Sequence, residues 1–414
     1  MPATITRREQ NKTAITGIPK ELAVKAGSRL EPAPLDPEQV IIDLTPSPKT
    51  LPSLENFGFG ENKTDHMLVC TYDSITGWAA PEIKPYGPLS LDPASSCLQY
   101  ATSVFEGMKA YLGPDGEIRL FRPELNMQRL ANSAARVALP QFDQDALLTL
   151  IKRLVTVDAR WIPAAPGYSL YLRPTMIGTR SAFGVTPSDS AILYVVCAPA
   201  GPYFRSGVKP ISLLAGGEGV RAWPGGTGGH KVASNYSPGF VPQIAAAKQG
   251  YDQILWLFGD DRRVTEAGAM NFFIVVKRED DENEIDIITP PLDGTILPGI
   301  TRSSCISLLQ SHSTDELTLS HIPSSHRIHV HERILTMPEI AKWYSQGRVL
   351  EAFTVGTGVV VAPVGKIGFE GLEIVFPKYV ENGGFGPVTK GIMERLLDIQ
   401  FGRREWKGWS VRCD

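Results

Sequence analysis

In this 414-residue chain, Lys231 is the residue whose sequence context most clearly indicates a chemical role. It follows a run of glycines in residues 223–239, WPGGTGGHKVASNYSPG. Glycines there let the backbone approach a ligand closely and leave room for one side chain to enter a cavity. A lysine that is partly desolvated near other positive groups loses its proton more easily and becomes a nucleophile toward an aldehyde. Lys231 is therefore a candidate Schiff-base lysine. The alternative is that it is one of the many inert lysines beside glycines.

The same glycine run has some likeness to the phosphate-binding P-loop, but the match fails. The pattern G-x-x-x-x-G-K-[ST] needs glycine directly before the lysine and serine or threonine directly after it. This chain has His230 and Val232 at those two positions. The comparison argues against nucleotide binding.

Two residues near Lys231 in the sequence strengthen its candidacy. Tyr236 lies five residues further on, and Glu266 occurs in VTEAGAMNFF at the entry to an apolar strand. A carboxylate among such small and apolar residues is expected to be partly buried, so it needs a partner. A cofactor is one candidate partner, and a salt bridge to Arg262 or Arg263 is the structural alternative.

One segment predicts a phosphate site. In LPGITRSS, Gly299 stands immediately before a predicted helix, whose free N–H groups at Ile300 and Thr301 are suited to hold a phosphate. Arg129, within an otherwise apolar helix face, is the natural side-chain partner for that phosphate. The alternative for Arg129 is an ordinary surface charge.

A second segment predicts a carboxylate site. In FTVGTGVVVAPV, Gly356, Thr357 and Gly358 form a predicted tight turn before an apolar strand. Exposed amides in such a turn are suited to bind a carboxylate.

The elements that must position these residues are mixed helices and strands. Alternation and β-branched residues predict strands, and apolar spacing near 3.6 residues predicts helices. The predicted strands are 66–73, 109–112, 118–121, 169–176, 190–198, 211–215, and a β-loop-β unit of 253–258 and 271–277 joined through the turn GDDRR. The predicted helices are one starting at Pro123, then 143–157, 238–248, one after Gly299, and 389–402. Because no regular βαβ repeat connects them, we expect α+β domains rather than a Rossmann sheet or a TIM barrel.

Composition divides the chain into two predicted domains. Residues 1–60 are rich in Pro, Thr, Ser and Lys and predict an extended or disordered lead-in. Residues 61–200 then form a small α/β domain and 201–207 an interdomain loop, and 208–414 form a larger domain.

Several classes of protein are disfavoured by composition. Lysine plus arginine total 41 against 44 acidic residues, so there is no basic excess of the kind that nucleic-acid binders show. No apolar run approaches the roughly 20 residues needed to cross a bilayer. We therefore expect a soluble protein with small-molecule partners, without a nucleic-acid or membrane partner.

Cysteine and histidine usage predicts neither a disulfide framework nor a metal. The five cysteines are odd in number, scattered and without a C-x-x-C pair. Four histidines cluster in HIPSSHRIHVHE, where His329 and His331 share one face of a predicted strand, but only Glu332 accompanies them. We expect a solvated connection there.

The first residues, MPATITRREQNKTAITG, contain the arginine and threonine of a transit peptide, yet Glu9 and Pro19 disfavour one. No secretory apolar region is present. These features predict an intracellular protein, cytoplasmic rather than mitochondrial.

With these residues assembled, the chain resembles a branched-chain amino-acid aminotransferase, a fold-type IV pyridoxal-phosphate enzyme. The resemblance covers roughly residues 66–410. It rests on long blocks in the same order: YATSVFEGMKAY, LFRPELNMQRL, SLYLRPTMIGT, GPYFRSG, HKVASNYSPG, QILWLFGDDRRVTEAGAMNFF, TPPLDGTILPGITR and LDIQFGR. Blocks of that length are far more specific than a short motif.

The resemblance implies a fold and a reaction. The fold is two-domain α/β, with a small N-terminal domain and a larger C-terminal pseudo-barrel domain that binds pyridoxal 5'-phosphate. The reaction is the reversible transfer of the amino group of L-leucine, L-isoleucine or L-valine to 2-oxoglutarate, in amino-acid biosynthesis or catabolism.

The resemblance also implies roles for the cofactor-binding residues. Lys231 matches the lysine that forms the Schiff base and then carries the proton, Glu266 the carboxylate at the pyridine nitrogen, and Tyr236 the tyrosine at the ring phenolate oxygen. Arg129, with the amides of Ile300 and Thr301, matches the phosphate cup. A carboxylate at the pyridine nitrogen keeps that nitrogen protonated, so that carbanion charge flows into the ring.

For the substrate, the resemblance implies that the amides of Thr357 and Gly358 bind the α-carboxylate. It also implies that Thr357 borders the cofactor. Tyr100, Phe105 and Tyr171 match walls of the side-chain pocket. Arg173 matches a residue associated with the second carboxylate of glutamate.

Three departures from relatives bear on the substrate. Ala269 occupies a position where many eukaryotic relatives carry a hydroxyl residue, and the turn after Gly358 lacks the C-x-x-C of some animal members. Ala233 and Ser234 replace paired glycines. Ala269 keeps open a specialised paralogue acting on an unusual aliphatic or aromatic 2-oxo acid. A silent binding protein and a D-amino-acid transaminase or lyase both fit the assembled residues less well.

Finally, the resemblance implies a homodimer. Each active site would lie between the two domains and be closed by the partner's loop at residues 181–185. The residues themselves show only that this loop contains glycine.

Overall fold

The computed structural model describes residues 32–202, 209–216, 219–281 and 283–413. Within them the chain forms two mixed β-sheets, each with its own helices, as the α/β prediction requires. The predicted interdomain loop at 201–207 lies mostly outside the described residues.

The first sheet belongs mainly to the first half of the chain. Its strands β1–β9 are Ile41–Ile42, His66–Asp73, Gly77–Trp78, Glu82–Pro85, Ser103–Phe105, Met108–Leu112, Ile118–Phe121, Ser169–Gly178 and Ser190–Ala200. Helices α1 (Ser96–Tyr100), α2 (Pro123–Arg136) and α3 (Gln144–Val157) accompany them. The sheet runs in the order β1-β4-β2-β9-β8-β6-β7, with β3 paired to β2 and β5 paired to β8.

Helix α2 begins where the sequence predicts, because proline at the first helical position loses no hydrogen bond. Its buried face includes Leu130 and Ala134, which pack against α3 and the first sheet. Helix α3 begins after Asp143, whose carboxylate accepts a hydrogen bond from the amide of Ala146 and so caps the helix. Helix α2 carries Arg129 and Ser133 toward the second domain.

The second sheet contains strands β10–β18. These are Ile211–Ala215, Gln253–Phe258, Arg263–Ala267, Met270–Lys277, Glu284–Thr289, Arg327–Glu332, Val349–Gly356, Val360–Phe369 and Leu372–Val375. Helices α4–α7 are Phe240–Lys248, Ile300–Ser313, Met337–Ser345 and Pro387–Gln400. Strand β12 pairs with both β11 and β13, so that β10, β11, β12, β13, β16 and β17 close into a ring. This ring confirms the pseudo-barrel.

The prediction of one β-loop-β unit over 253–277 is wrong in its connection. Strand β12, Arg263–Ala267, lies between the two predicted strands and forms an antiparallel hairpin with each of them. The segment escaped prediction because its apolar run is short and broken by Thr265 and Glu266. The consequence for the site is large, because Glu266 is held inside the ring and not on a loop.

Both ends of the described chain contact the first sheet. Residues 32–60 are mainly extended, but they pack against the first sheet, with β1 parallel to β4 and Thr45 N–H donating to His66 Nε2 at 2.9 Å. At the other end, a last strand β19 (Ser410–Arg412) pairs with β7. The chain therefore returns to the small domain instead of ending within the large one.

The two domains share a hydrophobic core cluster. Tyr111 and Phe121 of the first sheet are buried together with Phe353, Ile392 and Trp409 from the C-terminal part of the chain. Because burial of apolar surface is the main favourable term in packing, this cluster fixes one domain against the other. A site built from both domains can therefore keep a defined geometry.

No helix among the described residues is long and apolar enough to cross a membrane.

Candidate active site

A cavity of about 470 Å³ lies between the two domains and collects most of the predicted residues. The predicted residues that line it are Phe105, Arg129, Tyr171, Arg173, Lys231, Tyr236, Glu266, Ile300, Thr301, Thr357 and Gly358. Residues far apart in the sequence thus meet at one place.

The backbone of Lys231 is held by the first domain on both sides. Its amide donates to Ser133 Oγ of α2 at 2.9 Å, and its carbonyl accepts from the amide of Phe105 at 3.1 Å. The next residue, Val232, forms an isolated antiparallel bridge with Val104. These contacts direct the lysine side chain from the domain junction into the cavity.

The amine of Lys231 is suited to nucleophilic chemistry. Burial lowers the pKa of Lys231 to about 7, and the nearby charge of Arg129 acts in the same direction. Its Nζ donates to the hydroxyl of Tyr236 at 3.2 Å and lies 4.8 Å from the ring centroid of Phe105. A lysine with this pKa is substantially neutral near pH 7, which is the form that attacks an aldehyde.

Tyr236 keeps its proton. Burial raises the pKa of Tyr236 well above its usual range, and the negative charge of Glu266 acts in the same direction. Its ring packs against Phe105 with 5.0 Å between centroids. A protonated, fixed phenol is a hydrogen-bond donor for an oxygen that develops negative charge.

Glu266 is buried on β12, with 2% of its surface exposed. Its Oε1 accepts from the side-chain amide of Asn271 at 3.0 Å and from the backbone amide of Leu297 at 2.9 Å. Its Oε2 forms an ion pair with Arg221, which is itself buried. Burial raises the pKa of Glu266, while Arg221 and the Leu297 amide oppose that effect by favouring the ionised form.

The expected structural partners of Glu266 are therefore wrong. Arg262 lies 3.6 Å from Glu370, and Arg263 pairs with Asp261 at 3.0 Å, both near the surface. Arg262 precedes β12, and Arg263, three positions from Glu266, lies on the opposite face of the strand. The true partner, Arg221, precedes the glycine run by a few residues, and sequence offered no signal for this long-range pairing.

Arg129 is buried in the site and is not a surface charge. Its Nε and Nη2 donate to the two carboxylate oxygens of Glu106 at 2.7 and 2.8 Å, and its Nη1 donates to the carbonyl of Pro298 at 2.9 Å. Burial alone would disfavour the charge, but Glu106 outweighs it and raises the pKa of Arg129. Sequence reasoning missed Glu106, although a carboxylate inside the apolar FEGMKAY block was a usable signal.

The N-terminus of α5 faces the same end of the cavity. Gly299 precedes the helix and no side chain caps it, so the first amides, at Ile300 and Thr301, remain available to a ligand. A side chain at position 299 would not fit, because a Cβ there would lie 2.0 Å from Asn271 Oδ1. With Arg129 alongside, this is an anion site of the predicted kind.

The predicted carboxylate-binding turn joins β16 to β17. Gly356 pairs with Val360, and Thr357 and Gly358 between them line the cavity. Lys109 of β6 reaches across from the other domain and donates to the carbonyl of Gly358 at 2.8 Å. Sequence analysis did not identify Lys109.

The side-chain end of the cavity is aromatic. The guanidinium of Arg173 stacks 4.8 Å from the ring centroid of Phe105 and 5.2 Å from that of Tyr171, and it donates to the Tyr171 hydroxyl at 3.1 Å. Phe59 adds a further wall, with its ring 4.8 Å from that of Tyr171. Phe59 was missed because it lies in the segment predicted to be extended or disordered.

Tyr100 does not line the cavity of its own chain, contrary to expectation. It lies at the end of α1, is 39% exposed, and donates to the carbonyl of Phe183 in the loop 181–185. Neighbouring apolar side chains are more exposed still, with Leu98 at 59%, Phe183 at 73% and Val185 at 84%. The tyrosine and the loop thus form one exposed apolar surface.

Two histidines of the cluster each form a hydrogen bond to a carboxylate. His329 lies 2.9 Å from Glu284 and His331 lies 2.8 Å from Asp286, across the parallel pair β14 and β15. In the described part of the chain, no group of three or more His, Cys, Asp or Glu side chains is arranged to hold a metal.

The donor set of the cavity fits pyridoxal phosphate. Among the described residues, Glu266 Oε2 has an ion pair but no aligned hydrogen-bond donor, which leaves it able to accept from a pyridinium N–H. Lys231 offers a primary amine of lowered pKa for an aldehyde. The amides of α5, with Arg129, offer donors for a phosphate.

Comparison with known proteins agrees with this chemistry. Residues 103–367 match the family model for amino-transferase class IV. The chain is 46% identical over 374 residues to a branched-chain-amino-acid aminotransferase of Monosiga brevicollis, covering 90% of this chain and 92% of that protein. It is 43% identical over 380 residues to the mitochondrial enzyme of that name from Schizosaccharomyces pombe (92% and 86% covered), and to the cytosolic one from Saccharomyces cerevisiae (91% and 97% covered).

Solved structures of the same class share the fold. The branched-chain amino acid aminotransferase of Escherichia coli superimposes with a TM-score of 0.64 at 25% identity, covering 80% of this chain and 97% of that one. The enzyme of that name from Thermobaculum terrenum, solved in its PLP form, gives 0.63 at 20% identity and covers 86% and 100%. The fold-type IV prediction is confirmed.

The lowered pKa of Lys231 predicts its reactivity in cofactor-free protein. Reductive alkylation by a small aldehyde should increase with pH and reach half its maximum near pH 7, because only the neutral amine attacks. Peptide mapping should place the label with that midpoint on Lys231, and Lys231→Met should remove the label from that peptide. A midpoint near the value of about 10.4 for a solvated lysine would contradict the assigned environment.

Proposed function

Since the chain belongs to the branched-chain-amino-acid aminotransferases of amino-transferase class IV, we propose that its interdomain cavity transfers the amino group of L-leucine, L-isoleucine or L-valine to 2-oxoglutarate. The observation that carries the proposal is the meeting of Lys231, Tyr236 and Glu266 in one buried cavity. A nucleophilic amine, a fixed phenol and a buried carboxylate are the groups that this transfer requires.

Pyridoxal phosphate is the cofactor of this class, and the residues that would hold it divide between its two ends. Arg129 and the amides of Ile300 and Thr301 would bind the phosphate, with Thr357 beside them. Tyr236 would donate to the ring oxygen, and Glu266 would accept from the pyridine nitrogen. When bound, the cofactor supplies an electron sink for the electron pair left behind when a proton leaves the substrate Cα.

The protein residues move the proton and hold the charges. Lys231 Nζ, whose pKa is lowered to about 7, takes the proton from the substrate Cα in its neutral form and later returns it. Glu266, ion-paired with Arg221, keeps negative charge at the nitrogen end, and Tyr236 donates at the oxygen end. The rings of Phe105 and Tyr236 restrict access of water to the amine.

The same cavity must accept an aliphatic and an acidic substrate in turn. The rings of Phe59, Phe105 and Tyr171 suit the aliphatic side chain, at roughly 0.8 kcal/mol for each methylene removed from water. Arg173 lies over two of those rings, and its buried Nε has no described hydrogen-bond partner. That guanidinium would pair with the second carboxylate of glutamate, while Thr357 and Gly358 bind the α-carboxylate.

The paralogue with an unusual substrate is not favoured. Ala269 lines the cavity, so one hydroxyl of some relatives is missing there. However, the three relatives matched over about nine tenths of this chain carry the branched-chain name. The compartment remains a prediction, with Glu9 and Pro19 favouring the cytoplasm, because those relatives include a cytosolic and a mitochondrial enzyme.

Steady-state kinetics on the purified holoenzyme test the substrate class. With 2-oxoglutarate as acceptor, leucine, isoleucine and valine should have kcat/KM values at least about tenfold above that of phenylalanine, because the pocket is sized for aliphatic side chains. D-Alanine should give no measurable rate. A preference for phenylalanine would favour the paralogue, and preference for D-alanine would favour a D-amino-acid transaminase.

Glu266→Gln should reduce kcat by about 100- to 1,000-fold while the protein keeps its cofactor. The amide retains an acceptor for the Leu297 amide but removes the negative charge, an electrostatic loss of the size seen when one preorganised group is deleted. Absorbance of the bound cofactor gives occupancy, and kcat gives the rate. Glu351→Gln is the matched control, because Glu351 is also buried but caps α7 through the amides of Val388 and Thr389. Equal kcat in wild type and Glu266→Gln would refute the role.

We also propose a homodimer in which Tyr100 and the loop 181–185 close the partner's cavity. The apolar surface that they share supports this, since Phe183 and Val185 are among the most exposed apolar side chains described. Analytical ultracentrifugation should show a dimer, and Val185→Asp should yield a less active protein with a larger monomer fraction. The exposed Ile75→Asp, distant in sequence, is the control. A fully active monomer would disprove the assembly.

A further inference from the structure

Lys109 is a buried cation that the proposed reaction does not use. It lies on β6 in the small domain, is 8% exposed, and donates through Nζ to the carbonyl of Gly358 in the large domain at 2.8 Å. Gly358 belongs to the turn assigned above to the substrate α-carboxylate. The contact therefore joins the two domains at the substrate turn itself.

The charge of Lys109 has no carboxylate to balance it. Across residues 32–413, as far as the structure describes them, no Asp or Glu oxygen lies within 4.0 Å of its Nζ. Burial alone lowers the pKa of Lys109 to about 8, without an opposing acid. An unpaired buried ammonium costs stability, and an anion that arrives nearby reduces that cost.

The surroundings of Lys109 indicate whether its charge serves the cofactor phosphate or the substrate α-carboxylate, and they favour the α-carboxylate. A small cavity of about 20 Å³, large enough for about one water molecule, is lined by Lys109, Gln400, Thr301 and Thr357. Gln400 Oε1 is buried there without a hydrogen-bond partner among the described groups. The ammonium thus lies between the phosphate end and the substrate turn, but its direct bond goes to the turn.

We propose that Lys109 is a positioning residue that orients the Gly356–Gly358 turn through the Gly358 carbonyl. Its positive charge, on the side of the turn away from the main cavity, favours the α-carboxylate of both substrates at the turn's amides. By holding that carbonyl away from the cavity, it leaves the amides of Thr357 and Gly358 for the carboxylate. The inference rests on the proposed function, because it takes the turn to be the substrate site.

Lys109→Met in the holoenzyme tests the idea with a side chain of similar volume. KM for leucine and KM for 2-oxoglutarate should each rise about 10- to 100-fold, the loss expected for one interaction with a charged group, while kcat changes less than about threefold. Lys109→Arg should recover at least part of the loss. Lys84→Met removes an exposed lysine of the same domain and should leave both constants unchanged.

Two leucine analogues without an amine, one negatively charged and one neutral, separate the effect of the ligand's charge from the effect of its shape. Affinity for 4-methylpentanoate, followed by the absorbance of the bound cofactor, should fall as much as KM rises in Lys109→Met. Affinity for 4-methylpentanamide should fall much less, because a neutral ligand is affected by the altered turn but not by the loss of the positive charge. The dissociation constant of pyridoxal phosphate, from equilibrium dialysis, should also stay the same.

The outcomes are distinct. Unchanged KM and unchanged 4-methylpentanoate binding would overturn the inference, and so would an equal loss for the acid and the amide. Weakened cofactor binding with normal carboxylate binding would assign Lys109 to the phosphate and also overturn it. If the wild-type protein transaminates none of the amino acids tested, it is the proposed function that fails.

Discussion

Everything in the site depends on where the backbone of Lys231 is held. The lysine belongs by sequence to the large domain, yet its amide and carbonyl are bonded to Ser133 and Phe105 of the small one. Tyr236 and Glu266, which we propose to hold the same cofactor, are carried by the large domain. A shift of about 1 Å between the domains would therefore separate the amine from its partners, and the shared core around Tyr111 and Phe353 resists that shift.

Local chemistry explains why much of this could be predicted from sequence. Pro123 and Gly299 mark helix starts through their own backbone properties, and the structure places α2 and α5 there. Lys231 was recognisable because a glycine run and a following tyrosine are close in the chain. Long family blocks then supplied roles that no spacing could give. Eleven of the twelve predicted site residues line a single cavity, Tyr100 being the exception.

What could not be predicted depends on contacts between distant segments. Glu266 was expected to pair with a sequence neighbour, but its partner Arg221 lies 45 positions away and meets it only when the ring closes. Glu106 binds Arg129 across 23 positions for the same reason. Tyr100 illustrates the opposite error, since a residue can belong to a family's pocket without facing the cavity of its own chain.

The cations around the cavity divide into those that are paired with a carboxylate of the protein and those that are not. Two of the cavity's cations are neutralised within the protein, Arg129 by Glu106 and Arg221 by Glu266. For Arg173 and Lys109, no described carboxylate lies within ion-pair distance. Arg173 lies at the aromatic end of the cavity, and Lys109 contacts the turn that contains Gly358.

A site that binds neutral aliphatic side chains in one half-reaction and glutamate in the other needs this division. The charges that hold the site together are paired within the protein, Arg129 with Glu106 and Arg221 with Glu266, so they are balanced before a substrate arrives. The unpaired cations, Arg173 and Lys109, must instead lie near the positions that the substrate carboxylates occupy. Arg173 meets both demands at once, because its stacking on Phe105 and Tyr171 presents aromatic faces to an aliphatic chain and N–H donors to an acid.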